Sequence, residues 1–434
     1  MRILLTGVTG FLGKVVLGEL FSHCDSVPIG SIHVLIRRAE NKSALERYEN
    51  VVRKSPCFDA RTDSCWDNVH VVEGELSEPS MGLSDDSYGL LQNTITHIIH
   101  CAASVEFDLP IKKALVANVD TSREVLAFAR MSARVKRAVF VSTAYVTPAR
   151  QAANRPIKER LVRMPRKPSV ILSELENGKI SEANALAETG HPNTYTYTKC
   201  LNEHLCEENR GTFDLRWVRP SIISASLEYP MPGWIDSKAA FAGFVAMTGA
   251  GQLAVLKGNP QTRLDIVPVD KVAHDIIATL QEERRDIVTP LIRHSVAGLD
   301  NSPTIESCAS VVSEYFRRNR VFGRVGVKRI ERGDLRFKFW DTALHAGRCC
   351  LLTQVGNLLG DSKMARRSKL VRSKQKYLAE QFPYFMTNTF DFVSHCEPLS
   401  LHFNRVDYIR LVCGGVYRFL FRMDSSQITI AGKK

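Results

Sequence analysis

The sequence has no run of about 18 uninterrupted apolar residues, so no conventional transmembrane helix is expected. It has no CxxC, HExxH or zinc-finger spacing, and His97, His100 and Cys101 on one apolar run do not make a metal set. No metal is therefore expected. The 11 cysteines are scattered singly apart from Cys349 and Cys350, which argues for reduced thiols rather than a disulfide scaffold. Met1-Arg2 leads straight into Ile3-Leu4-Leu5, too short an apolar stretch for a secretory leader. The expectation is a cytoplasmic protein. Internal repeats and low-complexity tracts are missing too, which removes solenoids and disordered arrays.

What is present is an ordinary globular composition with an uneven charge. At 434 residues, 44% hydrophobic and 24% charged, the chain has room for two domains and a large core. Residues 301–434 hold 23 Lys/Arg against 11 Asp/Glu, a surplus equal to the +12 of the whole chain. The first 300 residues are therefore neutral, and the asymmetry calls for a partner of the basic third. No DNA- or RNA-binding motif accompanies it, so no nucleic acid is expected. An anionic membrane surface suits it better, because the basic run 363–376 lies near apolar residues at 349–359, and arginines punctuate the apolar residues at 409–421. A solvated basic face attracting the phosphates of a substrate explains the charge nearly as well.

Short β-type runs alternate with helical patterns in the first part. The runs lie at 3–5, 32–36, 69–72, 96–100, 138–142 and 215–218, with helices predicted at 11–21, 111–131 and 195–207. A polar interval, 147–192, is long enough to carry a helix of its own. A further run at 264–269 leads into a helix at 271–280, and beyond about 300 the pattern is mostly helical. The fold class is α/β: a Rossmann-type doubly wound parallel sheet with a smaller, mostly helical C-terminal domain, divided as 1–300 and 301–434.

The motifs fall where that fold needs them. Thr6-Gly7-Val8-Thr9-Gly10-Phe11-Leu12-Gly13 follows the first strand and opens a helix, with glycines spaced for a dinucleotide turn. The second strand ends in Arg37-Arg38, and the first acid is Glu40. Guanidiniums suit a 2′-phosphate and cannot accept from a ribose hydroxyl, which favours NADPH over NADH. Tyr195 and Lys199 have the i, i+4 spacing that puts both on one helical face. A nearby ammonium would lower a phenol pKa that starts near 10. Ser142 and Thr143 close a strand about fifty residues earlier, where a hydroxyl can meet a carbonyl oxygen gaining charge. Tyr197 has no lysine four residues on.

This ordered set resembles the extended short-chain dehydrogenase/reductases, and finer features resemble the fatty acyl-CoA reductases, or male-sterility-type reductases. The resemblance is carried by Gly7 to Leu17, by His100-Cys101-Ala102-Ala103-Ser104-Val105-Glu106-Phe107-Asp108, and by Ala117-Asn118-Val119-Asp120-Thr121. It continues through Val141-Ser142-Thr143-Ala144-Tyr145-Val146, Asn193 to Lys199 and Val218-Arg219-Pro220-Ser221-Ile222-Ile223. Pro230-Met231-Pro232-Gly233-Trp234-Ile235-Asp236 is its most specific piece. It covers about residues 1–280. Glu75, where the family usually has Asp, and Thr147-Pro148, in place of the usual Asn-Gly, depart from it.

The resemblance implies NADPH held by Thr6, Gly7, Thr9, Gly10, Phe11, Leu12, Gly13, Arg37, Arg38, Glu75, Leu76, Ala102, Ala103, Asn118, Pro220 and Ile222. It implies reduction of a long-chain acyl-CoA to the aldehyde and onward to the alcohol. Tyr195 would donate the proton, Lys199 would tune it, and Thr143, or in second place Ser142, would hold the oxygen. A reductase of carrier-protein thioesters or of aldehydes would use the same core. A nucleotide-sugar epimerase or dehydratase shares the fold but has no need of a basic, apolar helical domain. A non-catalytic dinucleotide sensor would have no use for Tyr195, Lys199 and Thr143 together.

Overall fold

The computed structural model describes residues 1–23, 29–39, 41–61, 63–152, 155–319, 325–359 and 361–423. Glu40 lies outside them. Seven strands form one parallel sheet: β1 (Arg2–Thr6), β2 (Ser31–Ile36), β3 (Val69–Glu73), β4 (His97–His100), β5 (Arg137–Val141), β6 (Asp214–Pro220) and β7 (Leu291–Ser295). They lie in the order β7-β6-β5-β4-β1-β2-β3. Several read as almost unbroken apolar runs because helices cover both faces, and β6 is buried at all seven positions. Leu4, Leu35, Ile98, Phe140, Leu215 and Trp217 join one core cluster that also takes in Phe128 and Ile292. The architecture is the doubly wound α/β fold expected from the alternation.

All six predicted sheet strands are present. The seventh, β7, was missed because Leu-Ile-Arg-His-Ser carries little apolar signal. Its polar residues are satisfied by neighbours: Ser295 donates to Asp275 at 2.5 Å, and the His294 ring meets the Val393 carbonyl at 2.7 Å. The run at 264–269 shrinks to a three-residue strand, Ile266–Pro268.

The helices that frame the sheet's carboxyl edge are α1 (Phe11–His23), α2 (Ala44–Arg47) and α3. The last is built of Ile111–Leu115, a π-turn at Val116–Asp120, and Thr121–Met131. Next come α4 (Thr194–Glu208) and α5 (Val269–Gln281), which packs along α1. The interval 147–192 carries the helices Ala149–Ala152, Pro168–Glu176 and Glu182–Thr189, and the Arg166 guanidinium ties the last two through Glu174 and Glu188.

The chain divides into two compact units, but not by one cut at 300. The first unit is Met1–Met231 with Val267–Val296 and Asp391–Leu399; the second is Pro232–Ile266 with Ala297–Phe390 and Ser400–Lys434. Residues 391–399 return to the first unit because their backbone is paired there. Ile157 N–H donates to the Asp391 carbonyl at 2.7 Å, and Val393 N–H donates to the Ile157 carbonyl at 2.9 Å. Pairing across 236 residues leaves no mark in local composition.

The second unit is largely helical: α6 (Ile305–Arg318), α7 (Asp334–Asp341), α8 (Gly347–Leu358), α9 (Ser362–Gln381) and α10 (Arg405–Gly415), with a short helix Pro383–Thr387. Helices α6 and α10 pack together. This corrects the expectation that 409–421 offers an apolar face to a membrane. Ile409, Val412, Val416 and Tyr417 are all buried, Leu411 and Phe419 to Phe421 are half-buried, and the exposed residues of the stretch are Arg410 and Arg418. No helix among the described residues is long and apolar enough to cross a membrane.

Candidate active site

The order of strands reverses between β1 and β4, and open α/β sheets present a ligand crevice at that point. The turn after β1 is cramped there. Gly7 has φ +78°, and a Cβ on it would stand 2.7 Å from the Ala102 nitrogen at the end of β4. A Cβ on Gly13 would stand 2.2 Å from the Gly7 carbonyl oxygen. Two of the three glycines are thus needed for the turn to exist, and Gly10, which is exposed, lets a ligand approach its backbone. Gly10 N–H donates to the Gly7 carbonyl at 3.0 Å, and α1 then begins at Phe11 with no acid in its first turn. Thr9, Phe11 and Leu12 border the turn and are half-buried.

Thr6 ties the two strand ends together. Its hydroxyl oxygen accepts from the Ala102 N–H at 3.3 Å and meets His100 Nδ1 at 2.8 Å. The other His100 nitrogen meets Ser122 Oγ at 3.1 Å, and Asn202 Nδ2 donates to the same oxygen at 3.0 Å. Burial, then the charge of Lys199, push the His100 pKa down to about 3, so the ring is neutral. Asn118, in the π-turn of α3, accepts from Ser104 N–H at 2.9 Å and donates to Thr198 at 3.1 Å. It joins the loop after β4 to α4. Ala103 sits exposed on that loop.

Helix α4 begins where Asn193 caps it, accepting from Thr196 N–H at 2.9 Å. It is pinned to the sheet by a buried pair: Arg219 of β6 donates to Glu203 through Nε and Nη2, at 2.8 and 2.5 Å. That fixes Tyr195 and Lys199 on the same face. Tyr197 points elsewhere, into a core with Leu115, Val119, Ile171 and Leu175. The Tyr195 ring stacks on Phe107 with centroids 5.6 Å apart, and its phenol lies near enough to Thr143 to feel that hydroxyl. Burial raises the phenol to about 12, against the opposing pull of Thr143.

The expected route by which Lys199 lowers this phenol is not the arrangement present. Lys199 Nζ donates to the Val141 carbonyl at 2.8 Å, and the group that pulls the phenol down is Thr143. Burial depresses Lys199 itself to about 8, with Glu203 pulling the other way. The two strand-end hydroxyls also differ. Thr143 Oγ1 accepts from Tyr145 N–H at 3.3 Å and lies 3.5 Å from the Pro220 carbonyl. Among the described residues the buried Ser142 hydroxyl has no hydrogen-bond partner. Ile222 opens the short strand Ile222–Ser224 just beyond.

At the other end of the crevice, Arg37 and Arg38 are exposed. Arg38 pairs with Glu73 at 2.5 Å, and Arg37 lies 3.9 Å from Glu75. Arg47 of α2 donates to the Arg37 carbonyl at 2.5 Å, which adds a third guanidinium to the group. Leu76 turns inward to the core beside Leu35 and Met81. A cramped glycine turn free of acid at the sheet's switch point fits a dinucleotide.

A family model described as male sterility protein, an NAD-binding type, matches residues 5–276. The chain belongs to the male sterility protein family. Fatty acyl-CoA reductase 1 of Mus musculus is 32% identical over 283 residues, covering 64% of this chain and 54% of that protein. Fatty acyl-CoA reductase wat of Drosophila melanogaster is 30% identical over 317 residues, covering 70% and 58%. The chain thus spans little more than half the length of these relatives. The crystal structure of the terminal R domain from the myxalamid PKS-NRPS biosynthetic pathway shares the fold, with a TM-score of 0.66 over 97% of this chain and 91% of that one, at 19% identity. Within this male sterility domain, Phe107, His100, Glu203 and Arg47 had no assigned part in the sequence reading. Phe107 and His100 stand in the quoted loop motif, and Arg219 in the β6 motif. Glu203 and Arg47 carry no motif, so only their contacts reveal them.

Proposed function

We propose that this chain reduces long-chain fatty acyl-CoA thioesters with NADPH, first to the aldehyde and then to the alcohol. The observation that carries the proposal is the meeting of Tyr195, stacked on Phe107, with the strand end that bears Ser142 and Thr143 and anchors the buried Lys199, beside a cramped glycine turn, in a male sterility family member. Thr6, Gly7, Thr9, Gly10, Phe11, Leu12 and Gly13 would hold the cofactor's pyrophosphate side. Arg37 and Arg38, with Arg47 beside them, would take a 2′-phosphate. Glu75 and Leu76 border the adenine end, while Ala102, Ala103, Asn118, Pro220 and Ile222 line the nicotinamide end. When bound there, NADPH supplies hydride to the substrate carbonyl.

The protein's own part is position and proton. Thr143 and the Tyr195 phenol donate to the thioester oxygen as it gains charge, and Ser142 has a free hydroxyl to add. A phenol raised to about 12 keeps its proton until that charge develops, so it serves as the acid. Tyr195 protonates the oxygen, the hemithioacetal expels the thiol, and the aldehyde remains. Reduction of the aldehyde would need a second NADPH in place of the spent cofactor and a phenol reprotonated from solvent, and Tyr195 would then protonate the alcohol oxygen. Lys199, anchored on the Val141 carbonyl, adds a buried amine to the site. Phe107 holds the ring in plane.

The test is turnover by the purified chain with NADPH or NADH, offered acyl-CoAs, acyl carrier proteins and free aldehydes, with products read by mass spectrometry. Aldehyde or alcohol from an acyl-CoA with NADPH is expected. Turnover of aldehydes or carrier-bound thioesters alone would move the substrate, and no reduction of any of them would end the proposal.

A further inference from the structure

The helical hairpin formed by α8 and α9 has two unlike sides. Its inner side is closely packed. Ser368 donates to the Cys349 carbonyl at 2.8 Å, and a Cβ on Gly356 would stand 3.0 Å from the Ala365 nitrogen. Cys349, Ala365, Ser368 and Gln375 are buried along it. On the outer side Leu351 is 61% exposed, and at the tip Leu358 and Leu359 are 85% and 75% exposed. Leu370 of α9 is exposed as well. Leucines this bare at the end of a packed hairpin do nothing for the fold.

Around them stand cations without partners. Arg372 is spoken for, held by Asp341 at 2.8 and 2.6 Å. Lys363, Arg366, Arg367, Lys369, Lys374 and Lys376 are exposed, and among the described residues none of them forms an ion pair. Lys363, Arg366, Arg367, Leu370 and Lys374 recur at helical spacing, so apolar and basic side chains share a stretch of one helix.

We infer that the α8–α9 hairpin seats the protein on an anionic phospholipid bilayer, with Leu358 and Leu359 entering the interface and the α9 cations over the headgroups. The charge pattern selects this occupant. From Lys363 to Lys376 the cations extend about 20 Å along the helix at 1.5 Å per residue. That spread matches a field of headgroups rather than the phosphates of one CoA. The leucines stand bare at the hairpin's end, so they suit a deformable apolar medium better than the rigid face of an acidic protein. The inference is independent of the reaction proposed above, because its test reads binding alone.

The test is co-sedimentation of the whole chain with phosphatidylcholine vesicles, plain or containing phosphatidylserine, at low and high salt. Binding to the anionic vesicles at low salt is expected, with little to the neutral ones. A basic residue near such a surface is worth about fivefold in partitioning. The triple variant Lys363→Gln, Arg366→Gln, Arg367→Gln should therefore bind roughly 100-fold more weakly. Leu358→Glu with Leu359→Glu should also lose binding, and both variants should keep the wild-type circular dichroism. No binding by the wild type overturns the inference, as does binding that either variant retains. Capture of an acidic acyl carrier protein in place of vesicles would overturn it in favour of a protein partner.

Discussion

Replacing Lys199 by Met should change how stability depends on pH, in a direction set by its burial. Lys199 is buried, and burial lowers its pKa from 10.5 to about 8. Between those values the unfolded chain holds a proton that the folded chain has lost, so this residue makes stability rise with pH. Its unfavourable burial is felt in full below pH 8 and is relieved as the pH climbs toward 10.5. From pH 7 to pH 9.5 the relief amounts to about 2 kcal/mol. Lys199→Met removes the titration. It also leaves the Val141 carbonyl without its donor, a loss that is the same at every pH and drops out of the comparison. Chemical denaturation of both proteins without cofactor, at pH 7 and 9.5, reads the effect. Relative to the variant, the wild type should gain about 2 kcal/mol over that interval. Parallel pH profiles would refute the reasoning, because Lys199 would then be solvated and unable to act as a buried charge behind Tyr195. The variant should be inactive at either pH.

Other consequences follow from the crevice. Gly13→Ala places a methyl 2.2 Å from the Gly7 carbonyl, so it should destabilise the chain by about 1–3 kcal/mol or more and abolish NADPH binding, read by denaturation and fluorescence titration. Arg37→Ala should raise the Michaelis constant for NADPH at least tenfold while barely moving that for NADH, consistent with about 1.5–3 kcal/mol for a charge-assisted contact. Equal effects on the two cofactors would take Arg37 off the 2′-phosphate.

The fold was legible wherever local chemistry decides it. Strands buried on both faces read as apolar runs, so β1 to β6 stood out, while β7 satisfies Arg293, His294 and Ser295 through tertiary partners and did not. The Tyr195–Lys199 spacing and the Gly7–Gly13 turn are local patterns and were visible. The contacts that give them meaning join residues far apart in the chain: Thr143 with Tyr195, Lys199 with Val141, Glu203 with Arg219. None of these leaves a periodic trace. Helix α10 shows the opposite failure. Arg410 and Arg418 between apolar residues read as an interfacial helix, yet Ile409, Val412 and Val416 fall on one helical face and are core. Position on the wheel decided the outcome, and the arginine density misled.

The central claim is that the Tyr195 phenol gives the proton during reduction of an acyl thioester. Single-turnover conversion of a long-chain acyl-CoA with saturating NADPH, compared between the wild type and Tyr195→Phe, tests it most directly. The ring still stacks on Phe107 in the variant, so NADPH binding should be preserved. Turnover should fall by about 10²–10⁴-fold, the range for a lost general acid. Tyr195→Phe turning over at a near-normal rate with its cofactor bound would contradict the account.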